Sequence, residues 1–437
     1  MLSSSVLRQS LGALLVTTLV AAASACGNSG PQTPSGGAAT TDTIHVWVLD
    51  DKINPVQESA VAEFNKTAKV KAVVEKFGNK DYSDKVRIAM GSPNAPDVFW
   101  NWGGGSIASY VTAGQLLDLT PTLQADQKFK DAFLPSVLDA GKIDGKNYGI
   151  PLRGMQPVIL FYNKDVFSRA GAQPPKTWAE VLSLIDTFKK AKVTPFAVAG
   201  AGAWTELMWV EYLVDRFGGA QVFADIAAGK PDAWKHPAVL KAAQAVRDLV
   251  DRGAFGTNYA SVDYTSTGGA STLFARGKAA MHLMGSWEFA NQLQAEPKFA
   301  ANGLGFTAFP AIEGGAGDPA AVVGNPTNYF SVNSKSKHTD VAVEFLKKMA
   351  GDAYTADLLK AGDVPTTTSA GDKLTQNPNP DFAAFQYQMV QKAPSFTLSW
   401  DQALSPSVGQ TVVTAIQKLF NKQLSPEQFV AEVEQAK

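Results

Sequence analysis

Cysteine is almost absent from this chain. Cys26 stands alone among 437 residues, so no internal disulfide can form and stability must come from burial. An excess of either charge is missing too. Lys and Arg number 39 against 40 Asp and Glu, a net charge of -1. Phosphate backbones need a basic surface, so this balance argues against nucleic acid, and it gives no reason to expect electrostatic membrane binding. After residue 25 no apolar run reaches the ~20 residues of a membrane-spanning helix. Histidine is scarce. His45, His236, His282 and His338 are dispersed with no pair at metal-ligand spacing, so neither metal nor cofactor is expected. No G-x-S-x-G elbow occurs, and no repeat of fixed period. Gly103-Gly104-Gly105 lacks the Lys-Ser/Thr of a phosphate loop, which argues against a nucleotide.

What is present begins with the position of Cys26. It ends an apolar stretch from Leu11 to Ala25, with Arg8 ahead of it and the small residues Ala23-Ser24-Ala25 just before it. This reads as a lipoprotein signal peptide over residues 1–25, with Cys26 as the lipidated residue. The alternative is an ordinary secretory signal with an incidental cysteine. Residues 26–42 are Gly, Ser, Pro, Thr and Asn-rich and read as a flexible tether. The remainder has an ordinary globular balance, 45% hydrophobic and 18% charged, with length for two or three domains.

Order is expected from Thr43. Ile44 to Leu49 reads as a strand. Asn54-Pro55 is expected to cap and start a helix whose apolar face is Val56, Ala60, Val61 and Phe64. A strand at Val70 to Phe77, a helix from about Ser83 to Met90 and a strand at Asp97 to Trp100 follow. This alternation indicates a mostly parallel α/β domain. The pattern resumes beyond Pro151. Thr177-Trp178-Ala179-Glu180 forms a capping box, and helices are expected at Trp204 to Phe217, Pro237 to Asp251 and Thr265 to Ala275. Ala279 to Met284 reads as a buried strand. Thr339 and Ser425 are expected to cap two later helices.

Aromatic and polar residues collect at the ends of the expected strands, where ligands of open α/β sheets bind. One strand ends in Asp50-Asp51-Lys52, another in Trp100-Asn101-Trp102. The buried strand runs into Gly285-Ser286-Trp287-Glu288, and Trp400-Asp401 follows a later apolar run. An indole face suits the C–H face of a sugar ring, while an adjacent carboxylate or amide takes its hydroxyls. For each tryptophan alone, core packing is the competing reading. Paired carboxylates for glycoside hydrolysis also stay open, since 40 acids offer many pairs.

These residues resemble the extracellular solute-binding proteins of ABC sugar importers, the group related to the maltose-binding protein. The resemblance runs from about Ile44 to the C-terminus. Its carriers are Trp47 to Lys52, Ala95 to Trp100, Gly145 to Pro151, Phe161 to Asp165, Pro175 to Glu180, and Phe274 to Met281 leading to Gly285-Ser286-Trp287. It implies ligand contacts at Asp51, Lys52, Trp100, Asn101, Gln156, Glu206, Trp287 and Trp400. Trp102, Arg153, Trp204, Asn325, Asn328 and Asp401 are implied as neighbours. It also implies a two-lobed α/β periplasmic-binding-protein fold with chain crossovers and a ligand cleft between lobes. The first lobe is expected at 43–154 plus 310–362, the second at 155–309 plus 363–437. The function implied is capture of a short oligosaccharide by a lipid-anchored monomer outside the cell, and its delivery to membrane permease subunits, with no bond made or broken. Asn101-Trp102 and Gln156 depart from the maltose-binding protein's polar contacts. The general look is closer to lipoproteins for short β-linked sugars such as xylobiose or cellobiose. Two other readings are a secreted carbohydrate-active enzyme and a binding protein for a charged solute.

Overall fold

The computed structural model describes residues 42–436. The expected signal peptide, Cys26 and all of the expected tether except Asp42 lie outside the described residues. Thirteen strands occur among the described residues: β1 (Thr43–Leu49), β2 (Lys71–Phe77), β3 (Val98–Asn101), β4 (Lys142–Ile143), β5 (Lys146–Asn147), β6 (Ile150–Pro151), β7 (Gln156–Asn163), β8 (Thr194–Ala197), β9 (Ala279–Gly285), β10 (Leu304–Thr307), β11 (Val322–Asn325), β12 (Tyr329–Val332) and β13 (Phe396–Leu398). Among these residues no helix is long and apolar enough to cross a membrane.

The first sheet has the order β2-β1-β3-β12-β6. In β1, Ile44, Val46 and Val48 are wholly buried, and the residues between them are not, the period-two pattern of a strand. β1 lies parallel to both β2 and β3. The helix Asn54–Thr67 buries Val56, Ala60, Val61 and Phe64, the stripe expected from the sequence. β12 arrives late in the chain and runs antiparallel to β3 and β6.

The second sheet has the order β13-β11-β7-β9-β8, with β10 beside β7. Every residue of β9 is buried, as a strand covered on both faces requires; its one polar residue, His282, is hydrogen-bonded through Nδ1 to Ala197 O at 2.9 Å. Each sheet has its own hydrophobic core, and Met155, Val364 and Ala383 make a small third cluster where the chain passes between them. The return to the first sheet corrects the expectation at 310. β11 hydrogen-bonds to β7 and β13, so the passage lies between Asn325 and Tyr329.

Capping boxes form at Thr177 with Glu180 and at Ser425 with Gln428. Three expected starts differ. Thr339 begins a helix but makes no capping bond. The helix expected at Thr265 starts at Ala270. Asp263 Oδ1 accepts from the amide of Ser266, and Ser266 O from that of Gly269, so the intervening residues form turns. Asn54 is the third. Its Oδ1 accepts from the amide of Asp51 and its Nδ2 donates to the carbonyl of Leu49. That side chain therefore shapes the loop after β1 and leaves the helix start uncapped.

Candidate ligand cleft between the two sheets

The loop ends of both sheets converge on one cavity of about 590 Å³, within the roughly 300–1,000 Å³ usual for small-molecule sites. From the first lobe come Asp50, Asp51 and Lys52 after β1, Trp100 near the end of β3 and Trp102 just after it. From the second come Trp204, Tyr264, Trp287 and Asp401. Arg153, Gln156, Asn325 and Asn328 line the floor, where the chain passes between the sheets.

The aromatic rings form one group on each side. Trp100 and Trp102 meet at 4.4 Å between ring centres, and the buried Tyr82 sits edge-on to both. Opposite, Trp204 stands 6.2 Å from Trp287 and perpendicular to Tyr264 at 5.6 Å. The Gly285-Ser286-Trp287 sequence has a steric reason. The indole of Trp287 folds back over Gly285, where a Cβ would lie 2.0 Å from a ring carbon. Only glycine lets the ring lie there.

The floor is polar. Arg153 is 3% exposed. Its Nη1 donates to Asp51 Oδ2 at 2.5 Å, and its Nε and Nη2 donate to Asp363 at 3.0 and 3.2 Å. Burial acts against the guanidinium charge, but Asp363 and Asp51 outweigh it and hold the group firmly protonated. Gln156, with its amide turned to suit both neighbours, accepts from Arg153 and donates to Asn328 Oδ1 at 2.9 Å. Asn325 Oδ1 and Asn328 Nδ2 are buried with no hydrogen-bond partner among the described residues. An acceptor and a donor are thus left for a ligand with hydroxyl groups, since buried polar atoms left unpaired are costly. Asp401 is pushed up to about 6 by burial. Arg153 is already matched by carboxylates, and Lys52, the other lining cation, has no such ion pair among the described residues.

Three residues implied as contacts do not line the cavity. Asn101 is buried under the first sheet, where its Oδ1 accepts from the amide of Gly103 and its Nδ2 donates to Ser331 Oγ, each at 2.9 Å. It shapes the turn that carries Trp102. Trp400 is 1% exposed and stacks on Phe223 at 4.8 Å, with Trp234 edge-on. It is a core residue, while Ser399, Asp401 and Gln402 beside it in the chain reach the cavity. Glu206 is on the helix Trp204–Gly218, two positions from Trp204, and so is turned about 200° away from it. It is fully buried, neither carboxylate oxygen has a hydrogen-bond partner among the described residues, and burial pushes it up to about 9.

Other lining residues escaped the sequence reading. Met208 and Asn291 lie one helical turn beyond Trp204 and Trp287, and that i, i+4 spacing was a usable signal. Thr265 is the expected start of a helix that begins only at Ala270, and Tyr264 directly precedes it. Tyr264 donates to Glu288 and accepts from Asn291 Nδ2, both at 2.7 Å, a contact no local pattern announces.

Known proteins resemble this chain along most of its length. A solved structure from work on xylan utilisation by the thermophilic bacterium Caldanaerobius polysaccharolyticus superposes with a TM-score of 0.82 at 30% identity, over 90% of this chain and 99% of that one. A chitin oligosaccharide binding protein superposes at 0.77, over 90% and 97% of the two chains, and at 24% identity it speaks for the fold alone. The diacetylchitobiose binding protein DasA of Streptomyces coelicolor is 26% identical over 392 residues, 86% of each chain. The family model for bacterial extracellular solute-binding proteins matches residues 50–356. That span holds the Asp50–Lys52 loop, the tryptophans of both lobes and the first two passages between the sheets, and the chain belongs to the bacterial extracellular solute-binding proteins.

Proposed function

We propose that this chain captures a short neutral oligosaccharide for an ABC importer and delivers it to the permease. The observation that carries the proposal is the pairing of two aromatic groups, one per lobe, across a floor with unpartnered amide atoms. Indole faces cover the apolar faces of sugar rings, and the amides and carboxylates take the hydroxyls. A ligand touching both groups favours the closed arrangement, because only that arrangement makes both sets of contacts. Asp50, Asp51 and Asp401 outnumber the cations, which speaks against phosphorylated or acidic sugars. The likeness to proteins named for diacetylchitobiose and for xylan utilisation supports a β-linked ligand, and xylobiose or cellobiose is our specific choice. We further propose a lipid at Cys26 that holds the monomer at the outer face of the membrane. A family of solute-binding proteins supports binding without turnover.

Calorimetry against xylo-, cello-, malto- and chito-oligosaccharides tests the reading. Binding of a β-linked disaccharide at unchanged sugar length is the expected result. Shortened products would replace it with hydrolysis, and heat only with anionic or cationic solutes would remove the sugar from the proposal.

A further inference from the structure

We infer that Asp363, which lies outside the cavity, is a positioning residue for ligand capture: through Arg153 it holds the Asp50-Asp51-Lys52 loop to the place where the chain passes between the lobes. The inference rests on the capture reading above.

Asp363 is 3% exposed and is separated from Arg153 by 210 positions. Its two oxygens accept from Nε and Nη2 of Arg153, and Oδ2 also accepts from the amide of Gly154 at 3.2 Å. Such a two-pronged pair fixes both the place and the plane of a guanidinium. The remaining arm, Nη1, reaches Asp51 Oδ2. The backbone of Arg153 is held as firmly. Its carbonyl accepts from Thr327 Oγ1 at 2.8 Å and from Thr366 Oγ1 at 3.4 Å. Beside it, the amide of Met155 donates to Val364 O at 2.9 Å. A Cβ on Gly154 would lie 2.5 Å from Val364 O, so the passages at 154 and 364 run in backbone contact. Three separate passages between the sheets therefore meet at Arg153.

Asp51 sits at the free end of this chain of bonds, on the cavity wall and 23% exposed at its side chain. One of its oxygens is occupied by Arg153, and the other is available to a hydroxyl. Among the described residues the loop has no other ion pair. Its other ties among the described residues are neutral hydrogen bonds: Asp50 N to Phe77 O, Asp51 N to Asn54 Oδ1, Asn54 N to Asp51 O, Asn54 Nδ2 to Leu49 O and, from the second lobe, Gln294 Nε2 to Lys52 O. The guanidinium between two carboxylates carries a net charge of one negative. Removing the charge of Asp363 leaves Arg153 paired with Asp51, a neutral couple, so no buried charge is stranded. What is lost is the fixed far end of the link.

The test needs no ligand in its first arm. Hydrogen exchange is measured on ligand-free wild type and Asp363→Asn, with Asp363→Ser as the second variant. Exchange at residues 50–54 is expected to rise about tenfold while β9 keeps its protection. In the second arm, calorimetry with xylobiose and with cellobiose follows wild type, D363N, D51N and D363N/D51N. D363N is expected to weaken binding about tenfold alone and to add nothing once Asp51 is changed, because the two act through one link. Unchanged exchange at 50–54, equal losses from D363N in both backgrounds, or unfolding of both Asp363 variants overturns the inference. If neither sugar binds wild type, the sugar reading fails, and the exchange arm alone decides the role of Asp363.

Discussion

Trp287 shows how a single side chain is placed by its neighbours. The ring depends on a glycine beneath it and on Trp204 beside it, and it is half-buried. Trp287→Ala is expected to weaken binding of the captured sugar by at least about 2 kcal/mol, roughly thirtyfold, with the fold retained. Calorimetry and circular dichroism together check this, and a globally unfolded variant would return Trp287 to the core. Glu206 carries a different expectation. Burial raises it from 4.5 to about 9, so the folded chain holds a proton that the unfolded chain releases above pH 4.5. Stability from this site is present below about 4.5 and falls as pH rises towards 9. Glu206→Gln has no proton to lose. Its melting temperature is therefore expected to match wild type near pH 4.5 and to exceed it progressively up to pH 9. Melts at pH 4.5, 7 and 9 follow the gap, and a constant gap would mean that Glu206 is not the titrating group.

At the scale of elements, the glycine triplet has a role that its sequence did not disclose. Gly104 has φ +54, a conformation that side chains resist, and it stands 3.1 Å, measured from a would-be Cβ, from the carbonyl of Gln402. At Gly105 the same atom would lie 2.1 Å from the carbonyl of Leu404. The helix Gly105–Thr112 of the first lobe and the short helix Trp400–Ala403 of the second thus meet backbone to backbone beside the cavity. Nearer the mouth, Gln294 Nε2 donates to Lys52 O at 3.2 Å, a second bond between the lobes. Gly105→Ala is expected to wedge the lobes apart. Overpacking of this kind costs about 1–3 kcal/mol, and opening relieves it. Binding should weaken by that amount, the ligand-free melting temperature should hardly change, and small-angle X-ray scattering should show a larger radius. Unaltered affinity would show that the seat is not closed during capture.

At the scale of the molecule, the proposed attachment and the proposed capture are separate properties assigned to separate stretches. The described residues begin at Asp42, and among them no helix is long and apolar enough to cross a membrane. Cys26→Ala is therefore expected to move the protein from the membrane fraction to the soluble fraction while sugar binding is kept. Fractionation of cells carrying the variant checks this, and retention at the membrane would place the anchor elsewhere. Binding in turn stabilises the whole folded body. A ligand at 100 times its dissociation constant adds about 2.7 kcal/mol, which makes a melt an independent reading of capture.

Much of this was legible along the chain because it is local. The alternation in β1, the stripe at Val56, Ala60, Val61 and Phe64, and the boxes at Thr177 and Ser425 depend on residues within one or two turns. Strand ends are local too, so Asp51, Lys52, Trp100, Trp102 and Trp287 were found there, and all line the cavity. Sequence alone therefore determined the class of fold and most of the cleft's edge. Only the tertiary structure separated Trp102 from Trp400, alike in sequence setting, because Phe223 and Trp234 cover the second. It alone joined Arg153 to Asp363 and turned Tyr264 towards Asn291. These depend on chain passages that meet only after both lobes have packed, and no periodicity along the chain encodes a meeting across 210 positions.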